Sequence, residues 1–140
     1  MPKIRIQNRT KHRVPIRRIR KIVEKIVEEE IGNVSVDVFF VGEKTIARLN
    51  EAFRKVKGST DVLTFVYNDQ DLYGEIFLCP VVISRNARKF GCDYEEELLR
   101  VTIHATLHLA GYDHEFDTSR SEVMFHKQEE YLKEVERGGC

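Results

Sequence analysis

Three histidines within eleven residues restrict the fold of this chain more than any other feature of its sequence. His104 and His108 are four residues apart, so on a helix they project from one face, one turn apart. Gly111 can end that helix in a left-handed conformation, after which the chain can turn back and bring His114 to the same point. The spacing therefore predicts a helix that ends near Gly111 and three imidazoles that converge.

Three imidazole nitrogens with a fourth position left open are typical of a catalytic zinc site rather than a closed structural one. The segment is otherwise apolar (Ala105, Leu107, Leu109, Ala110), so burying histidines there without a partner would be costly. A single histidine on a helix is usually a surface or core residue, but this spacing favours one bound metal ion. Zinc is the first expectation, and another divalent transition metal that accepts imidazole ligands is the alternative.

The spacing H-x3-H-x5-H coincides with the long zincin motif H-E-x-x-H-x-x-G-x-x-H, including its glycine. In those proteases the glutamate deprotonates the zinc-bound water, and this chain has Ala105 in its place. Peptide hydrolysis by that route is therefore disfavoured, although a zinc ion that lowers the pKa of its water toward about 7 could hydrolyse another bond. Asp113 could orient a ligand histidine or hold the metal-bound water, and a plain turn residue is an equally good interpretation.

Length and composition favour one soluble domain over residues 1–140 with a single core. No apolar run approaches the roughly 20 residues of a membrane span, and the N-terminus lacks the apolar core of a secretory signal. The three cysteines show no paired spacing, so no disulfide framework is expected and a reducing cytoplasm is the default. The net charge is zero, yet residues 1–25 hold ten Lys or Arg against one acid. This segment could attract phosphates, or it could be a solvated helix face with ion pairs.

Hydrophobic periodicity predicts elements in the order β-α-β-α-β-β-α-α-α, which makes an α+β domain with a mixed sheet of about four strands and about five helices, one of them the zincin-like histidine helix. Ile46, Leu49 and Phe53 are the predicted inward residues of the second helix. The last two strands should be antiparallel, and the second and third strands could pair in parallel through a right-handed crossover. The predicted strands span residues 4–6, 34–41, 62–66 and 73–79. The predicted helices span residues 15–31, 43–53, 80–90 and 119–135, together with the histidine helix, which begins at residue 93 or 94 and ends near Gly111.

Several segments besides the histidine block carry a resemblance to a known family. They are Leu49-Asn50 with Phe53-Arg54, then Ser-Thr-Asp-Val-Leu-Thr-Phe over residues 59–65, Gly-Glu-Ile over residues 74–76, and Met124 with Glu129. Together with the histidines they resemble the YbeY endoribonucleases, also called rRNA maturation factors, over most of the chain. Two departures are small: Thr64 stands where serine is usual, and Ala105 where glycine is common.

The resemblance implies an α+β fold, one zinc ion held by His104, His108 and His114, and endoribonuclease activity on single-stranded RNA. It further implies maturation of the 3′ end of small-subunit 16S rRNA, ribosome quality control, a cytoplasmic location, and the ribosome or its small subunit as a partner. The family's functionally important arginine falls on Arg54. A guanidinium there could clamp a phosphodiester bidentately, whereas the residues alone would favour a solvated helix C-terminus.

Two other functions stay compatible with the sequence. One is a ribosome assembly factor whose zinc only shapes a binding surface, and the other is a zincin-like hydrolase of amide or ester bonds, against which Ala105 argues. For a nuclease, either a metal-bound water or the ribose 2′-OH could be the nucleophile. Thr60-Asp61 is expected to be a turn, with substrate contact as the alternative. Tyr67, Tyr73 and Phe65 could stack bases, although core packing is the expected role of Phe65.

Overall fold

The computed structural model describes residues 1–69, 71–112 and 118–135, with the side chains of 118–121 excepted. Its elements follow the predicted order, with boundaries that differ by only a few residues from those expected. They are β1 (Lys3–Asn8), α1 (Ile16–Glu30), β2 (Ser35–Phe40), α2 (Glu43–Arg54), β3 (Val62–Val66), β4 (Gly74–Leu78), α3 (Pro80–Phe90), α4 (Tyr94–Leu109) and α5 (Thr118–Val135).

The strands form one mixed sheet in the order β1-β2-β4-β3. β1 pairs with β2 and β2 with β4 in parallel, and β3 pairs with β4 in the antiparallel sense that was predicted. The expected parallel pair between β2 and β3 is wrong. β4 lies between them because its Ile76 and Leu78 are fully buried and suit a central strand, whereas β3 ends on the exposed Val66 and takes the edge.

One face of the sheet carries the main core, and α4 lies at its centre. α4 packs on α1, α3, α5 and the β3–β4 hairpin, and most of its side chains are buried, as expected for a helix that is apolar on nearly every side. The predicted stripe of α1 is buried against the same face. The residues of that stripe are Ile19, Ile22, Val23, Ile26 and Val27. The predicted α+β fold is confirmed.

The opposite face of the sheet is covered by α2 through Ile46, in a smaller core with Val41, Leu63, Cys79 and Val82. The prediction that Phe53 points inward from this helix is wrong, since its side chain is 67% exposed. Phe53 lies on the last turn of α2 at the edge strand β3, and no element in the described part of the chain covers the ring from beyond that strand.

The cysteines differ from the expectation in one respect. Cys79 is a buried free thiol, and burial raises its pKa. Cys92 is disulfide-bonded, which the unpaired spacing of the cysteines did not predict. Within the described ranges, no helix has both the length and the apolar character needed to cross a bilayer.

Candidate metal centre and cleft

Helix α4 holds the first two predicted metal ligands side by side. Nε2 of His104 lies 3.1 Å from Nε2 of His108, and both rings are half-buried on one face of the helix. Two nitrogens that each lie about 2.0–2.1 Å from a zinc ion in a tetrahedral site are roughly 3.3 Å apart. The spacing of this pair therefore fits two ligands of one zinc ion.

Gln128 on α5 fixes the orientation of the first imidazole. Its Oε1 lies 2.6 Å from Nδ1 of His104. With that amide oxygen as the acceptor, Nδ1 is the donor of this bond, and Nε2 is the ring nitrogen that points toward His108. Such a partner on the far nitrogen is the usual support of a metal-bound histidine. No local sequence pattern indicates Gln128, which lies 24 residues from His104 on another helix.

The predicted left-handed glycine at the end of the histidine helix is confirmed. Gly111 has φ +99°, its N–H donates to the carbonyl of His108 (3.0 Å), and Tyr112 N–H donates to the carbonyl of Leu107 (3.1 Å). These two bonds form a Schellman motif, which ends the helix and reverses the chain directly after His108. The helix therefore ends where the predicted metal site requires, with its left-handed glycine three residues after His108.

The third ligand itself is not tested. His114 and Asp113 lie outside the described residues. Within the parts of the chain that are described, no group of three His, Cys, Asp or Glu side chains could hold a metal ion. The three-histidine site, and the role of Asp113, therefore stay predictions that the geometry of His104 and His108 supports.

A cleft of about 510 Å³ opens in front of the two histidines, and Arg54 also lines it. Arg54 is exposed at the C-terminal end of α2 and forms no ion pair with any described residue. Thr60 and Asp61, expected to be a turn, also line this cleft. The structure thus brings the predicted arginine and both described histidines to one cavity.

The loop after Arg54 is held by Asn50, a buried polar residue of α2. Its Nδ2 donates to the carbonyl of Gly58 (3.0 Å), and its own carbonyl accepts from Val56 N–H (3.4 Å). Lys55 and Gly58 adopt positive φ angles of 60° and 101°, which turn the chain sharply after the helix. Because both ends of this turn are tied to Asn50, Arg54 is held at the rim of the cleft.

The carboxylate of Glu30, at the end of α1, joins the cleft residue Tyr112 to helix α5. Glu30 accepts hydrogen bonds from Tyr112 (2.8 Å), Tyr131 (3.0 Å) and Lys127 (3.1 Å). Burial raises the pKa of Glu30, but the hydrogen bonds from these three groups outweigh it and leave that pKa below its usual value. Burial and the bond to Glu30 raise the pKa of Tyr112. The cluster holds α5, and with it Gln128, against α1 and the end of α4.

The three aromatic residues considered for base stacking differ in exposure and in their contacts. Tyr73 donates from its hydroxyl to the carbonyl of Leu109 (3.1 Å), and the half-buried Phe65 packs on the smaller core, as expected. Tyr67 is half-exposed, and its hydroxyl donates to Glu75 (2.5 Å), a bond that raises the pKa of Tyr67 to about 12.

Comparisons with known proteins identify the family of this chain and match its fold. The family described as Endoribonuclease YbeY matches residues 5–136. Proteins with that name from Thermotoga petrophila and Chlorobaculum parvum are 49% identical (84% of this chain, 78% of that protein) and 37% identical (94% of each). The solution structure of TM1509 from Thermotoga maritima is 47% identical with a TM-score of 0.71, covering 94% of this chain and 88% of that one. The resemblance seen in the sequence and the prediction of an enzyme are confirmed: the chain belongs to the YbeY endoribonuclease family.

Proposed function

We propose that this chain is a zinc-dependent endoribonuclease that cuts single-stranded RNA. The observation that carries the proposal is the pair of imidazole nitrogens 3.1 Å apart on the wall of a cleft that Arg54 also lines. A pair of metal-ligand nitrogens in the same cleft as a guanidinium that pairs with no described acid suits a phosphodiester, whose negative charge increases as the bond is attacked. Family membership supports RNA as the polymer.

The residues have distinct roles in this proposal. His104 and His108, with His114, would hold the ion, which would supply Lewis-acid chemistry and acidify water when bound. Gln128 accepts the hydrogen on Nδ1 of His104 and so makes Nε2 the nitrogen that would ligate the ion. Arg54 donates its two parallel N–H groups to the scissile phosphate and stabilises the pentacovalent transition state. Asp113 orients the neighbouring ligand histidine.

At a finer level, we propose that the enzyme matures the 3′ end of 16S rRNA and takes part in ribosome quality control in the cytoplasm. The ribosome or its small subunit is the proposed partner. The support is the family resemblance over the histidine block, Arg54 and residues 59–65. The exposed cations around the cleft, Arg54, Lys55 and Lys57, are suited to a phosphate backbone.

Metal analysis followed by RNA cleavage tests the proposal. Wild type should bind one equivalent of zinc and cut single-stranded but not duplex RNA, whereas His108→Ala should lose both properties. His126→Ala is the control, because His126 is an exposed histidine of α5 outside the cleft lining. A 5′-phosphate on the products would identify water as the nucleophile, and a 2′,3′-cyclic phosphate would identify the ribose 2′-OH.

Two outcomes would contradict this assignment. If fully zinc-loaded wild type cuts no RNA while Arg54→Ala weakens ribosome association, the protein is an assembly factor. If the loaded protein instead digests a peptide library, it is an amide hydrolase.

A further inference from the structure

The exposed ring of Phe53 lies immediately beside the arginine of the cleft. Its side chain is 67% exposed at the end of α2, one residue before Arg54. The ring is not loose, since it meets Phe65 edge-on with ring centroids 5.5 Å apart, and Phe65 meets Phe77 edge-on at 5.7 Å. Phe53 is therefore held by its contact with Phe65, which itself packs on Phe77, while most of the surface of Phe53 faces solvent.

The end of α2 spans the edge strand β3. Successive residues of a strand point to opposite faces, and here Thr64 lines the cleft while Phe65 receives Phe53. Arg54 lines the cleft together with Thr64. Neighbouring side chains of one helix turn thus lie on the two sides of the same strand, so a flexible chain that crosses this edge would meet both.

The charge around Phe53 favours a polyanion over other partners. Arg54, Lys55 and Lys57 are all exposed, and none forms an ion pair with a described residue. An aromatic ring beside unpaired cations is the combination with which proteins bind single strands, because bases stack on the ring and phosphates meet the cations. An apolar protein surface would leave these cations desolvated without partners.

We propose that Phe53 is a specificity-determining residue that stacks an unpaired nucleobase next to the phosphodiester held at Arg54. This inference rests on the proposed function and deepens it. In a duplex, both faces of a base are covered by its neighbours, so only a single strand can place a base on this ring. Phe53 therefore selects single-stranded over duplex RNA.

Binding and cleavage by zinc-loaded variants test this role. The probe is a short single-stranded RNA carrying 2-aminopurine, whose fluorescence falls when the base stacks, together with its duplex. Phe53→Leu should raise both the Kd and the KM for the single strand about tenfold, with kcat changed little, since stacking on an aromatic side chain contributes roughly 1–3 kcal/mol per base. Phe53→Trp should keep the fluorescence change and a Kd within about twofold of wild type.

The matched control is Phe90→Leu. Phe90 is 69% exposed on the last turn of α3 and follows Lys89, so its exposure and its cationic neighbour resemble those of Phe53. It lies outside the cleft lining. It should leave the single-strand Kd unchanged. Phe53→Trp and Phe90→Leu should unfold at the wild-type temperature, and Phe53→Leu only slightly below it, because the ring is exposed and loses only its contact with Phe65.

Each outcome separates the inference from the proposed function. If wild type cuts RNA and Phe53→Leu binds and cuts the single strand equally well, the stacking role is wrong while the nuclease stands. If wild type binds the single strand through Phe53 but cuts nothing, the nuclease is wrong while the stacking role stands. Loss of ribosomal protein binding with unchanged RNA binding in Phe53→Leu would make this a protein-docking surface and overturn the inference.

Discussion

The two walls of the cleft are built in opposite ways. One wall presents His104 and His108 from α4, a helix whose other sides are buried against three helices and the sheet. The other wall is the exposed end of α2, where Arg54 has no ion-pair partner in the described structure. Ligands of the proposed zinc ion would have to keep a fixed separation, which a helix held in the core provides. A group that meets a phosphate must be accessible and uncompensated.

A similar contrast separates two groups of cations. Several in the basic segment 1–25 are already engaged: Arg5 forms two hydrogen bonds to Asp37, Arg18 pairs with Glu95, and Lys25 pairs with Glu134. The structure thus supports the ion-pair interpretation for these residues. Sequence charge alone points to the N-terminus, whereas unpaired charge beside the cleft points to Arg54.

The largest expected effect is on the exposed wall. Arg54→Ala should lower kcat/KM for single-stranded RNA about 10²–10³-fold, because the developing charge on the phosphate loses its donors. Arg54→Lys should recover only part of this, since an ammonium cannot form the two parallel bonds of a guanidinium. Steady-state kinetics with circular dichroism melting as the folding check would measure it. If Arg54→Ala had the same kcat/KM as wild type, Arg54 would have no role in catalysis and the proposed function of the α2 wall would be wrong.

A substitution that crowds the buried helix α4 should lower the stability of the fold. A Cβ added to Gly74 would lie 2.8 Å from the carbonyl oxygen of Phe65 and 2.9 Å from Cδ2 of Leu109, at the end of α4. Gly74→Ala should therefore reduce the free energy of unfolding by about 2–3 kcal/mol, as overpacking does. Urea titration would measure it. Gly42→Ser is the control, because no atom lies within 4 Å of that Cβ and serine favours the helix N-terminus. If Gly74→Ala were as stable as wild type, Leu109 and the backbone of Phe65 would have moved to accommodate the added methyl group.

A smaller effect should appear in metal affinity. Gln128→Leu removes the acceptor of His104 Nδ1 and should weaken zinc binding about 10–100-fold, measured by competition with a chelator. Gln128→Glu keeps an acceptor oxygen and should bind zinc nearly as tightly as wild type. If Gln128→Leu held zinc as firmly, the orientation of the imidazole would come from α4 alone.

The smallest effect should come from the N-terminal basic segment. Arg17→Ala removes the same charge as Arg54→Ala, but Arg17 lies about 20 Å along α1 from Glu30, which contacts Tyr112 of the cleft. Charges at that distance are screened at physiological salt, where the Debye length is about 8 Å. Its Kd for single-stranded RNA should stay within about twofold of wild type in an anisotropy assay. A tenfold loss would place part of the RNA on α1.

Local patterns predicted much of this molecule, and long-range packing accounts for the rest. The order of elements and the end of the histidine helix at Gly111 follow from periodicity and glycine geometry, which act within a few residues. The position of β4 between β2 and β3 does not, since it depends on which strand the core buries. Phe53 fits the helical period of an inward residue, yet its exposure depends on where the sheet ends.

The residues of the site also fall into those that a local pattern predicts and those that depend on long-range packing. The two histidines can be read from their spacing, because one helix carries both. Arg54 could be ranked above an ordinary solvated helix end only through the family resemblance, because nothing in residues 43–54 reveals what lies opposite. Gln128 had no signal at all, since its contact with His104 depends on how α5 docks on α4.

The bond between Gln128 and His104 also sets an order of events during biosynthesis. His104 and His108 leave the ribosome on α4, but the group that fixes the tautomer of the first imidazole follows on α5. A nascent chain that ends before α5 would present both rings without that acceptor. In the proposed zinc site, full affinity for the ion should therefore arise only after α5 has been synthesised and has docked on α4.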